Sequence, residues 1–156
     1  MNKQVVKFTV MEHCFYHPKR GTEYAAAYDL YSANSEPVTL INGKVTLIPT
    51  GIKVELPVGY HMDILPRSGF ANKQMIVIPN SPGLIDPDFR GEILVGLFNQ
   101  SGSDYVLERG TRIAQCKIQE TVEIEWIKVD KQRLLRLRKL ISFFDRQKEY
   151  PYLIFA

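Results

Sequence analysis

Four short segments of this 156-residue chain gather side chains suited to holding a phosphate group and delivering water to it. The first, Ala25–Ala33, sets a single carboxylate, Asp29, in an otherwise small or apolar run. Such an acid could hold waters on a phosphate-bound Mg²⁺, and equally it could close a turn. In the second, Pro66-Arg67-Ser68-Gly69-Phe70-Ala71, an apolar strand pattern stops at a small polar loop that opens a helix pattern. Free amides at a helix start favour phosphate, Arg67 adds a forked cation and Ser68 a hydroxyl donor. An ordinary solvated turn reads the same way.

The third segment, Asn80–Glu92, is long for a hairpin tip and too apolar for a simple solvent turn. Its backbone groups could face a base edge. Phe89 could pack on a sugar, leaving no room for a 2′-hydroxyl. Asp86, between Ile85 and Pro87, is placed to orient an attacking water, whereas Asp88 and Glu92 read as structural or solvated. The fourth, Gly110–Cys116, is a turn entering an apolar strand. There Gln115 could offer its amide to a phosphate oxygen or serve as an ordinary strand residue.

Short β-type runs must position these segments. The pattern predicts strands at Val5–Val10, Lys44–Ile48, Gly51–Leu56, Tyr60–Leu65, Met75–Ile78, Ile93–Phe98, Tyr105–Leu107, Ile113–Ile118 and Val122–Val129, separated by glycine and proline turns. Many short strands at close spacing mean an all-β sandwich, jelly roll or distorted barrel. A short helix is expected from Arg67 to Gln74. A second, amphipathic one is expected over Lys131–Phe144, where Leu134, Leu137, Ile141 and Phe144 recur at three and four. The composition changes near Asp130, so residues 1–129 read as one β domain and 130–156 as an extension too small to be a domain.

The bulk numbers agree with one self-sufficient domain. Hydrophobic residues make up 45% of the chain, and a chain this long needs no disulfide staple. Cys14 and Cys116 lack metal-ligand spacing and read as reduced thiols. His13, His17 and His61 lie apart from any ligand-like arrangement. No signal peptide or membrane-length apolar run is evident, so an intracellular setting is expected, cytoplasmic or nuclear. The formal charge of +3 is uneven: residues 131–156 carry seven Lys or Arg against Asp145 and Glu149. The rest is slightly acidic, which argues against a nucleic-acid binder.

Taken together, Ala26-Ala27-Tyr28-Asp29-Leu30, Pro66–Ala71, Gly83–Glu92 and Gly110–Gln115 resemble, in order and spacing, the four central motifs of the homotrimeric dUTPase family. The resemblance spans about residues 5–129. It implies a trimeric β fold whose active sites are each assembled from different subunits, and Mg²⁺-assisted hydrolysis of dUTP to dUMP and pyrophosphate. Carried over residue by residue, it assigns the phosphates to Arg67, Ser68, Gly69 and Gln115. Uracil falls to Asn80, Gly83 and Ile85, the deoxyribose to Phe89, the attacking water to Asp86 and water-mediated Mg²⁺ contact to Asp29.

The chain departs from the family in three places. Ala27 replaces a glycine, which is tolerable if its φ is negative, and Phe89 replaces a tyrosine. The usual glycine-rich arm closing over the nucleotide is not matched, since no glycine follows Gly110. The basic, aromatic tail in its place reads as a docking helix, as the trace of a lost arm, or as a basic surface in which Arg133, Arg136 or Arg138 meets an anion. A dUTPase-like trimer that binds nucleotide or a partner with little turnover is the alternative function. Deamination of dCTP is the alternative within the superfamily.

Overall fold

Alternation of buried and more exposed side chains marks the central strands of the computed structural model, which describes residues 4–133, 135 and 136. In β6 (Tyr60–Leu65), Met62 and Ile64 point inward while the residues between them are half-exposed. In β9 (Leu94–Asn99), Val95, Leu97 and Asn99 do the same. The other strands are β1 (Lys7–Val10), β2 (Tyr28–Tyr31), β3 (Val38–Leu40), β4 (Val45–Pro49), β5 (Ile52–Glu55), β7 (Ile76–Val77), β8 (Gly83–Ile85), β10 (Tyr105–Leu107) and β11 (Arg112–Glu120).

All pairings are antiparallel. A four-stranded sheet runs β2-β11-β6-β8 and a three-stranded one β4-β9-β7, joined by the pairs β1-β5 and β3-β10. Leu30, Leu40, Leu97, Leu107 and Ile113, each from a different strand, are almost completely buried at the centre. The expected all-β architecture with one short helix is therefore what residues 4–122 adopt. That helix, α1 (Ser68–Gln74), buries Phe70 edge-on against Tyr105. It ends at Met75 in the left-handed region, whose N–H donates to Phe70 O.

Turn glycines set the corners. Gly51 has φ +70°, and a Cβ there would lie 2.5 Å from the Cβ of Cys14, so both backbone angle and packing require glycine. Asn99, fully buried, holds another corner. Its Nδ2 donates to Leu40 O at 2.7 Å and Ser103 O at 2.8 Å, and its Oδ1 accepts from Ser101 N and Oγ.

Two expectations need correction. Val122–Val129 is not a strand: it pairs with no other strand, and Val122, Ile124, Trp126 and Ile127 stand exposed. Its alternation satisfies the strand pattern, but a strand also needs a neighbour to take its backbone hydrogen bonds, and among the described residues it has none. Conversely, β2, β3 and β8 arise where no strand was expected. The chain divides into two units, Met1–Val122 and Glu123–Ala156. In the second, Lys131–Arg133, Leu135 and Arg136 are helical, and Asp130 Oδ1 caps the turn by accepting Arg133 N–H at 2.8 Å. Leu134, Leu137, Arg138, Ile141 and Phe144 of the expected helix lie outside the described residues.

Candidate active site

Three neighbouring strands place the phosphate-type residues side by side. In the register of the four-stranded sheet, Gln115 of β11 faces Asp29 of β2 on one side and Leu65 of β6 on the other. Two residues beyond Leu65 the chain reaches Arg67 and turns into α1, so Asp29, Gln115 and the Arg67–Gly69 turn share one end of the sheet. An open cleft of ≈ 280 Å³ forms there, lined by Asp29, Arg67, Ser68, Gly69, Arg112 and Gln115 with the small residues Gly21 and Ala25–Ala27. The first amides of α1 have no partner within the helix.

Asp29 is the electrostatic centre of this cleft. Arg67 Nε donates to its Oδ1 at 2.7 Å and Arg112 Nη1 to its Oδ2 at 3.3 Å. Arg67 Nη1 also reaches the carbonyl of Arg112 at 3.4 Å. The guanidinium of Arg67 is thus fixed on one edge and keeps donors for a ligand. Gln115 Nε2 donates to Pro66 O at 2.9 Å, which leaves its second N–H unused and ties β11 to the turn before α1. Ala27 is not among the residues with positive φ, so the glycine of the family motif is not needed for its backbone angle.

Arg112 has no role in the sequence reading, because a regular strand would put it and Gln115, three residues apart, on opposite faces. A register shift between Arg112 and Ala114 inserts one extra residue and returns both side chains to the cleft. Ile113 and Ala114 are consecutive buried residues, and that doubling is the trace the bulge leaves in the sequence.

The hairpin residues assemble elsewhere. Asn80, Gly83 and Ile85 line a second groove of ≈ 380 Å³ with Ile64, Ile78 and Val95. Gly83 packs closely there: an added Cβ would come within 3.3 Å of Ile64 Cβ, so a side chain would press on Ile64. Asp86 and Phe89 line neither cavity. Asp86 follows the Met62↔Ile85 pair and so lies at the Tyr60 end of β6, whereas Arg67 follows its Leu65 end. At ~3.3 Å per residue the two are roughly 15–20 Å apart in one chain. Phe89 folds over Gly91, where a Cβ would fall 2.7 Å from its ring. Glu92 is structural, accepting from His13 Nε2 at 2.9 Å and Gly51 N–H at 2.7 Å.

A divalent cation would find one carboxylate in the phosphate cleft, Asp29. Among the described residues, no three His, Cys, Asp or Glu side chains form a metal cluster. Both Asp29 oxygens already accept from a guanidinium. This donor set suits Mg²⁺ that arrives on a polyphosphate and keeps its waters, and it does not suit a closed protein cage. Among the described residues no helix is long and apolar enough to cross a membrane.

The described residues thus form an all-β protein whose four-stranded sheet ends in a cleft of one carboxylate and two arginines, with a separate, largely apolar groove at the hairpin. The chain belongs to the dUTPase family, whose model matches residues 15–139. It is 48% identical over 109 residues to the deoxyuridine 5′-triphosphate nucleotidohydrolase of Rickettsia akari (strain Hartford), covering 70% of this chain and 74% of that protein. It is 43% identical over the same length to that of Leptospira interrogans serogroup Icterohaemorrhagiae serovar copenhageni (strain Fiocruz L1-130), with 70% and 75% covered. Among solved structures, the dUTPase of Streptococcus mutans superposes with a TM-score of 0.68 at 30% identity, over 76% of this chain and 98% of that one. The dUTPase of phage phi11 of S. aureus shares the fold with a TM-score of 0.73 at 23% identity, over 81% and 97%. A mutant of that phage enzyme is described with a coordinated structural Mg(II) ion.

Proposed function

We infer that the chain carries out its family's reaction, hydrolysis of dUTP to dUMP and pyrophosphate, and that two copies supply the parts of each site. The observation that carries this reading is the convergence of Asp29, Arg67, Ser68, Gly69 and Gln115 on one cleft. Arg67 and Gln115 hold the triphosphate through their unused donors, with the Ser68 hydroxyl and the first amides of α1. Asp29 would hold a Mg²⁺ carried by the polyphosphate, and the ion would supply charge neutralisation there. Asn80, Gly83 and Ile85 enclose uracil, and the Phe89 ring covers the deoxyribose face.

Asp86 orients a water on the far side of the α-phosphorus and takes its proton. The new O–P bond forms as the bond from that phosphorus to the α–β bridging oxygen breaks, and pyrophosphate leaves in line. Because Asp86 and Arg67 occupy opposite ends of β6, the hairpin of one copy faces the phosphate cleft of another, in keeping with the family's homotrimer.

The test is release of pyrophosphate from dUTP with Mg²⁺ by the full chain beside an Asp86→Asn control. The variant should be slower by ~10²–10⁴-fold, the usual contribution of a positioned general base. Equal rates would remove Asp86 from the mechanism. Nucleotide binding without turnover in the unaltered chain would favour a binding trimer, and ammonia release from dCTP would favour a deaminase.

A further inference from the structure

The turn that carries Asp86 and Phe89 is closed by a side chain from outside it. Phe89 N–H donates to Asp86 O at 3.1 Å, making a four-residue turn, Asp86-Pro87-Asp88-Phe89. Arg90 then folds back over it: its Nη1 donates to Pro87 O at 2.7 Å and to Phe89 O at 2.9 Å. One guanidinium nitrogen thus ties the Pro87–Asp88 peptide plane to the Phe89–Arg90 one. Gly91 leaves the space the Phe89 ring occupies, since a Cβ there would lie 2.7 Å from the ring.

Beyond the turn, Arg90 borders strands β1 and β5. It lines a cleft with Lys7 and Phe8 of β1 and with Lys53, Val54 and Glu55 of β5. Glu55 is paired to Lys7 at 2.7 Å, and its carboxyl is held below the usual range first by that Lys7 bond and to a lesser degree by the charge of Arg90. A carboxylate on a regular strand therefore stands within electrostatic reach of the arginine that clamps the turn.

We propose that Arg90 is the positioning residue for Asp86 and Phe89, holding the water-orienting carboxylate and the sugar-covering ring in working geometry by clamping the Pro87 and Phe89 carbonyls. This rests on the assignment of Asp86 to the attacking water. Arg90 lines neither the cleft at Asp29 nor the groove at Asn80. Its bonds to two carbonyls are charge-assisted and tethered to the chain, which a shorter side chain cannot match.

Arg90→Ala and Arg90→Gln, in the full chain, give the test, with kcat, KM, thermal midpoint and recovery by added guanidinium ion as readouts. Misplacing a reacting group by about 1 Å costs on the order of 10²-fold. The expected result is a kcat lower by ~10–100-fold, KM for dUTP within ~3-fold, a nearly unchanged midpoint, and partial recovery of the Ala variant by millimolar guanidinium. Combining Arg90→Ala with Asp86→Asn should be hardly slower than Asp86→Asn alone, because both act through one group. Full activity in the folded Ala variant overturns the proposal. So does a loss of rate that tracks loss of folded protein and that guanidinium does not recover. An active Asp86→Asn protein would instead overturn the role of Asp86, whatever Arg90 does.

Discussion

The Nε of Arg67 lies 2.7 Å from Oδ1 of Asp29, so the cation that opens α1 is anchored to the acid at the middle of β2. The bond joins two segments 38 residues apart across the cleft at the end of the four-stranded sheet. Both side chains are largely covered, at 25% and 12% exposure, so the pair is shielded from the full screening of water.

Asp29→Ala should therefore act on substrate binding more than on folding. Loss of an outer partner of a metal or phosphate site typically costs ~10–100-fold. The expected outcome is a fall of that size in kcat/KM for dUTP, mostly through KM, with more Mg²⁺ needed for half-maximal rate. Steady-state assays across Mg²⁺ concentrations measure both.

Arg112 is half-exposed and its contact to Asp29 is longer. Exposed pairs contribute up to ~1 kcal/mol, and such a loss corresponds to roughly a five-fold change in an equilibrium constant. Arg112→Ala should lower the unfolding midpoint by no more than about 5 °C and change KM by no more than about that factor. A loss of several hundred-fold would mean that Arg112 contacts the nucleotide directly.

Asn99 should behave in the opposite way. It makes four hydrogen bonds in full burial and touches neither cavity. Asn99→Ala strands the Leu40 carbonyl and the Ser101 amide, at a cost of ~2–4 kcal/mol. Urea denaturation should show that loss, while kcat per folded molecule stays at the unaltered value.

Burial pushes the Cys116 thiol up to about 12, from an ordinary value of 9.0. The folded state thus keeps its proton where the unfolded chain has lost it. Stability from this group is fully present below pH 9 and declines as pH rises from there toward 12, by at most ~1.4 kcal/mol per unit. Replacing Cys116 with Ala should flatten that alkaline decline. In the native protein at pH 8, a thiol reagent should modify the half-buried Cys14 first.

Local pattern made most of the sheet legible. Tyr60–Leu65 and Tyr105–Leu107 form strands at the expected bounds, and Gly43, Gly51, Gly59, Gly102 and Gly110 sit in expected turns with positive φ. β2 escaped because Ala25–Ala27 masks its start, and β3 and β8 because three residues carry too little period to register. Val122–Val129 was over-read because alternation describes a side-chain pattern and says nothing of whether a partner edge exists. In the cleft, Arg112 stayed hidden because a bulge changes which face a side chain takes without altering the residues around it. Arg90 stayed hidden because its contacts are to main-chain carbonyls, which a sequence does not display.

The length of β6 also bears on inheritance of damage. If one chain lends the hairpin and another the phosphate cleft, a chain with Asp86→Asn and a chain with Arg67→Gln are each inert alone. Refolded together in equal amounts, they should regain activity at about a quarter of their sites, as random mixing in a closed ring of copies requires. A strand six residues long thereby turns two separate lesions into a mutually repairing pair.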